Sequence, residues 1–74
     1  MSTYEVENVF YNNYGGVTTK SCDLFSSKRK AISHMNRLAK QKYGLKKQGT
    51  AKDGTLVFKD EQGKIKERII FGQL

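Results

Sequence analysis

One stretch of this chain repeats with the period of a helix, and the segments on either side of it alternate like strands. Between residues 28 and 43, Ala31, Ile32, Met35, Leu38, Ala39 and Tyr43 recur at spacings of three and four. At 100° per residue they gather within about 140° of arc, which predicts an amphipathic helix with one apolar seam. Ser26 or Ser27 stands where an N-cap hydroxyl accepts a first-turn N–H. Gly44 stands where a left-handed residue ends a helix, with Leu45 packing back onto Ala39.

The flanking segments favour strands. "TYEVENVFY" and "VTTKSCDLF" are rich in aromatic and β-branched residues and enclose the turn-prone "NNYGG", so they read as a hairpin. Tyr4, Val6 and Phe10 fall on one side with Asn8 interrupting them, while Val9 and Tyr11 fall on the other. A bulge near Glu7 and Asn8, or partial cover on both faces, is therefore expected. After the helix, "LKKQGTAK" gives room for a short strand, Asp53-Gly54 is a hairpin signal, and "TLVFKD" and "KIKERIIF" are strands around "EQG". Leu56 and Phe58 share a face, as do Ile65, Glu67, Ile69 and Phe71; Lys64, Lys66, Arg68 and Ile70 occupy the other face of the last strand. The expected fold is α+β, an antiparallel sheet of four or five strands with the helix across one face. Its order is β-β-α-β-β, with room for a further short strand after the helix, in a single domain over residues 1–74.

A chain of 74 residues buries only about 60% of the surface its unfolded form exposes. With no Pro and one Cys, neither loop stiffening nor an internal disulfide supplements that core. Helix packing or association must, and a homodimer is compatible with this. The longest apolar runs, "LVF" and "IIF", fall far short of a membrane span, and "MSTYEVENVF" has neither the basic start nor the apolar stretch of a signal peptide. A cytoplasmic protein is expected. A membrane-surface role is disfavoured, because the apolar arc lacks Trp and Phe and is needed for the core.

Charge is the second constraint. Lysine and arginine number 14 against 7 acids, and eight of the 14 lie between residues 28 and 47, where no acid occurs. Such clustering points to an anionic partner. Taking Lys28 as the origin, Arg29, Lys40, Arg37 and Lys30 fall between about 100° and about 200°, opposite the apolar arc. Ser33 and Asn36 lie within or beside this stripe and suit phosphate or sugar contacts. Lys42 falls inside the apolar arc, where it is expected to snorkel. The helix has no acid with which to form i,i+4 pairs, and "KRK" occupies the first turn, where the dipole disfavours each cation by roughly 0.3 to 1 kcal/mol. Local stability would favour acids there, so the departure suggests an anion site at the helix start. The candidate nucleic-acid-binding set is Lys28, Arg29, Lys30, Arg37 and Lys40, with Lys46 and Lys47 beyond the Gly44 stop. Lys64, Lys66 and Arg68 extend this surface only if the two abut. Glu61 or Asp60 of the last hairpin is a candidate to neutralise part of it.

Catalytic chemistry finds little support. One His and one Cys cannot furnish a four-ligand zinc site, and Cys22 with His34 lacks an orienting third group. Glu5 and Glu7 read as strand solubility, and the glycines lack phosphate-loop spacing. A non-enzymatic protein without catalytic residues, metal or cofactor is expected.

Two partner classes fit. There is no helix-turn-helix pair, zinc finger or RNA-recognition-motif strand, and the element order differs from that of a double-stranded RNA-binding domain. Nucleic-acid binding would act mainly through phosphates, with RNA preferred over DNA because Tyr4, Tyr11 and Tyr14 offer stacking groups. The alternative is an inhibitor or adaptor whose basic surface docks an acidic protein surface of a larger host protein or enzyme. In its small size and lack of catalytic groups the chain resembles the accessory proteins of bacteriophages, which implies that second role.

Overall fold

The computed structural model describes residues 2–42, 44–49 and 54–74. Its elements are β1 (Tyr4–Tyr11), β2 (Val17–Phe25), α1 (Lys28–Lys40), β3 (Lys46–Gln48), β4 (Thr55–Lys59) and β5 (Ile65–Gln73). They form one five-stranded sheet in the order β2-β1-β5-β4-β3, with every neighbouring pair antiparallel. The expected α+β arrangement is the one that forms, including the short strand after the helix.

The first and last strands lie side by side at the centre, with Val6 opposite Phe71, Asn8 opposite Ile69 and Phe10 opposite Glu67. The Leu74 N–H donates to the Thr3 carbonyl at 2.8 Å, which carries this ladder to the chain ends. Because β2 and β3 occupy opposite edges, α1 must carry the chain across the sheet, over β1 and β5. Ala31 and Met35 of the helix seam are fully buried against Val6, Leu56, Phe58 and Ile69. Tyr4, Phe25, Leu38, Ala39, Leu45 and Phe71 close the margin of this core. Each large side chain so buried contributes roughly 1.5 to 3 kcal/mol relative to exposure.

Several local expectations need revision. The helix ends before Gly44: Gln41 is its C-cap, and the Gln41 and Lys42 N–H groups donate to the Leu38 and Ala39 carbonyls, tightening the last turn. Tyr43 and Asp53 lie outside the described residues, and with them the last helical core position and half of the Asp53-Gly54 turn. Ile32 is only half-buried and stands outside the core cluster.

At Glu7 and Asn8, partial cover on both faces is the expectation that holds: Val6 and Asn8 are buried on one side and Val9 on the other, while the ladder between β1 and β2 runs regularly there and shifts only between Phe10 and Tyr11. Asn8 is instead an inward, buried polar residue. Its Nδ2 donates to the Arg68 carbonyl at 3.1 Å and its Oδ1 accepts from Lys42 Nζ at 2.8 Å.

Lys42, finally, does not snorkel. Its Nζ lies 2.6 Å from Glu67 Oε1, in an ion-pair contact outside hydrogen-bond angles, and 5.0 Å from the centre of the Phe10 ring. Both charged side chains are nearly enclosed, at 8% and 13% exposure. A second register shift, between Phe58 and Lys59, pairs Ile65 with Lys59 and so parts it from the inward row of Glu67, Ile69 and Phe71.

Two hairpin loops share one construction at the same end of the sheet. Asn12 Oδ1 accepts from the Tyr14 and Gly16 N–H groups at 2.8 and 2.9 Å, and Asp60 Oδ1 accepts from those of Gln62 and Lys64 at 2.9 Å each. The Gly15 and Gly63 N–H groups donate back to the Asn12 and Asp60 carbonyls at 3.1 Å. Both glycines have positive φ, 84° and 82°, which a side chain would disfavour. On the sheet face turned away from α1 stand Val9, Tyr11, Val57, Arg68 and Ile70, with Lys20, Cys22 and Leu24 of the edge strand. Among the described residues, no helix is long and apolar enough to cross a membrane.

Two outcomes follow from these contacts. Lys42→Met leaves Glu67 enclosed without its cation and lowers the unfolding free energy in urea by about 3 to 5 kcal/mol, whereas Lys42→Met with Glu67→Leu recovers most of that loss. At Asp60, the Lys64 and Gln62 N–H groups hold the carboxyl below its ordinary pKa. A depressed folded-state pKa stabilises above the unfolded value and is lost as pH falls through the folded one. Chemical shifts of the Gln62 and Lys64 amides should therefore stay native as pH drops through the usual aspartate range and change only below it.

Candidate functional site

Ser27 sets the site in place. Its backbone is extended (φ −132°, ψ 131°) and its Oγ accepts from the Lys30 N–H at 3.5 Å, which starts the helix at Lys28 and puts "KRK" in the first turn. Arg29, Lys30, Ser33 and Arg37 then line an open cleft of about 730 Å³ together with Ser27, Phe25 and His34. Phe25, the last residue of β2, packs against the His34 ring with centroids 5.1 Å apart and planes tilted 45°. These two rings give the cleft an aromatic part beside its cations.

A chain of three side chains orders one wall. Asp23 faces the helix from β2, opposite the buried Val6, and its Oδ2 lies 3.0 Å from His34 Nε2. The Arg37 guanidinium donates through Nη2 to His34 Nδ1 at 2.7 Å. An imidazole that accepts at Nδ1 must donate at Nε2, so this arrangement requires the neutral Nε2–H tautomer. Arg37 is thereby tied to the helix within the lining of the cleft, and among the described residues no carboxylate pairs with it. The sequence concealed this relay, because Asp23 and His34 lie 11 residues apart on different elements and no spacing rule couples a strand to the helix that follows it.

The remaining candidate cations divide into separate groups. Lys40 lies on another flank of α1, lining a hollow with Asn36, Ala39 and Lys47. Lys47 pairs with Phe58 and so shares the helix side of the sheet, whereas Lys46 pairs with Lys59 and belongs to the opposite side. Lys28 is exposed at the helix start and lines neither hollow. Among the described residues, none of Lys28, Arg29, Lys30, Arg37, Lys40, Lys46 and Lys47 forms an ion pair. Asp60, considered as a neutralising group, lies 3.9 Å from Lys66 instead.

The second basic row does not join this surface. Lys66 turns to Asp60 and Asn13 at the loop end, and Arg68 stands on the far face over the Tyr11 ring, 5.6 Å from its centre. The tyrosines separate likewise. Tyr4 stacks on Phe71 at 5.7 Å at the margin of the core, while Tyr14 is 97% exposed in its loop.

Cys22 and His34 belong to opposite faces of the sheet, because Asp23, next to Cys22, is the residue turned towards the helix. Local desolvation, and then the negative charge of Glu5, Glu7 and Asp23, push the Cys22 thiol pKa upward, which disfavours the thiolate. Among the described residues no group of three His, Cys, Asp or Glu is placed to hold a metal ion. In comparisons with protein-family models, curated proteins and solved structures, nothing matches this chain.

The relay is open to direct observation. In long-range ¹H–¹⁵N spectra at pH 8, His34 should show the Nε2–H tautomer, and Asp23→Ala should redistribute it towards the ordinary mixture.

Proposed function

We propose that this protein binds single-stranded nucleic acid, RNA in preference to DNA, through the cleft at the start of α1, and that it does so without catalysis. One observation carries the reading: Arg29, Lys30 and Arg37 converge on a cleft with aromatic side chains, and no ion pair occupies them among the described residues. Cations beside aromatic rings suit an unpaired strand, with phosphates held by the guanidinium and ammonium groups and a base laid against Phe25 or His34. Helix N–H groups left free in the first turn add to the attraction for phosphate. The Ser27 and Ser33 hydroxyls line the same cleft, and hydroxyls can donate to or accept from a ribose 2′-OH.

The test is the salt dependence of binding. Replacing Arg29, Lys30, Arg37 and Lys40 together by Gln should weaken binding of a short RNA and leave the fold intact by circular dichroism. If Arg29, Lys30 and Arg37 of the cleft each touch a phosphate, the slope of log K against log salt flattens by about 2, and by about 3 if Lys40 on the neighbouring flank touches one too, from about 0.7 per contact on a single strand. An unchanged slope places the RNA contacts elsewhere. Retention of an acidic protein partner after nuclease treatment, with no nucleic acid in the untreated sample, favours the inhibitor or adaptor role instead.

A further inference from the structure

The two similarly built loops enclose a second cleft, of about 410 Å³, on the side of the sheet away from α1. It is lined by Tyr11, Asn13, Gly15, Lys64, Ile65 and Arg68, among others. Arg68 is its unusual member. Its neighbours across the sheet are Val9 on β1 and Val57 on β4, and its guanidinium lies over the Tyr11 ring. Its Nε is buried without a hydrogen-bond partner, and among the described residues no carboxylate pairs with it. Glu7, on the same face, is diagonal to it and lies 4.0 Å from Lys20 instead. A cation so placed, half-buried between valines, lacks the counter-charge that such groups ordinarily have.

We propose that this cleft binds a nucleotide unit, with the phosphate at Arg68 and Lys64 and the base against the aromatic and apolar wall of Tyr11 and Ile65. The lining fits that ligand better than a bare anion. A guanidinium 5.6 Å from the centre of the Tyr11 ring sets a phosphate-binding group beside an aromatic wall, and apolar walls with few convergent polar groups characterise small-molecule clefts. Asn13 uses its Oδ1 for Lys66, which leaves its Nδ2 as a donor. Gly15 and Gly63 have no side chain to obstruct the rim. Tyr14, between the lining residues Asn13 and Gly15 in sequence, is almost wholly exposed and is available to a further base of a strand. The cleft is separate from that on α1, and the inference does not depend on RNA binding there.

The experiment is a titration of ¹⁵N-labelled protein with AMP, UMP, inorganic phosphate and a ten-residue single-stranded RNA, followed by amide shifts. It is run on the natural chain and on the variant with Arg29, Lys30, Arg37 and Lys40 replaced by Gln. Nucleotide or RNA should shift amides of residues 11–16 and 60–68 in both proteins, with phosphate alone at least fivefold weaker. Arg68→Gln should weaken this binding at least tenfold. Should Arg68→Gln unfold the chain, Lys64→Glu at the exposed rim serves in its place, with a loss of at least threefold. Saturation by AMP or UMP identifies a free-nucleotide site, and shifts with RNA alone identify a station on a strand; both uphold the nucleotide unit. Shifts confined to residues 25–37, absence of shifts with every ligand, phosphate as effective as AMP, or unaltered affinity in a folded Arg68→Gln or Lys64→Glu protein would overturn it.

Discussion

The first and last strands of this chain are hydrogen-bonded to each other at the centre of the sheet, and the other elements are arranged around that pairing. With Val6 opposite Phe71 and Asn8 opposite Ile69, the native ladder forms only once contacts more than sixty residues apart are made. Pairing over such separations slows folding, since loop-closure entropy is lost before the contact forms. It also fixes the path of the helix. β2 joins the outer side of β1 and β4 the outer side of β5, so the segment between β2 and β3 must cross from one edge to the other. A helix of 13 residues, about 20 Å long, makes that crossing and covers one face.

Where α1 ends, the fold encloses charge. Lys42, Glu67 and Asn8 meet beneath the end of the crossing, each from a different segment. An enclosed ion pair of this kind contributes little net stability compared with apolar residues of similar volume, but it opposes misregister. A one-residue slip of β5 would turn Glu67 to the open face, leaving Lys42 enclosed without a counter-charge. The same helix that positions Lys42 also presents Arg29, Lys30 and Arg37 to solvent, because Ala31 and Met35 must face the sheet. Core packing therefore orients the cationic cleft, and Asp23 with His34 orients its Arg37 wall.

Single-sided cover has a further consequence. In a chain this short one helix shields one face, so the second face is completed by its own side chains, with Val9 reduced to 4% exposure among them. Arg68 lies over Tyr11 there and covers apolar surface with its stem. Both clefts place cations beside aromatic rings, but on opposite sides of the sheet and without a shared residue.

Much of this architecture was legible in the sequence because it rests on local periodicity. The spacing of Ala31, Met35 and Leu38 specified a helix and its buried side, and alternation with turn residues specified the strands and both well-defined loops. The Ser27 cap and the cations of the first turn were visible for the same reason. Other features depend on which segments meet, and residue spacing carries no record of that. Asn8 looked like a break in an apolar row because its partners, Lys42 and the Arg68 carbonyl, lie 34 and 60 residues away. Lys46 and Lys47 looked equivalent as neighbours until pairing with β4 sent them to opposite faces. Lys64, Lys66 and Arg68 looked like one row until the shift at Phe58 and Lys59 and the adjoining loops separated them. The sequence by itself determined the elements, their buried sides and the concentration of cations on α1, since each follows from the geometry of a single helix or strand. Only the tertiary structure decided the central pairing of the chain ends, the enclosed Lys42 and the isolation of Arg68, since each requires partners that only the folded sheet brings together.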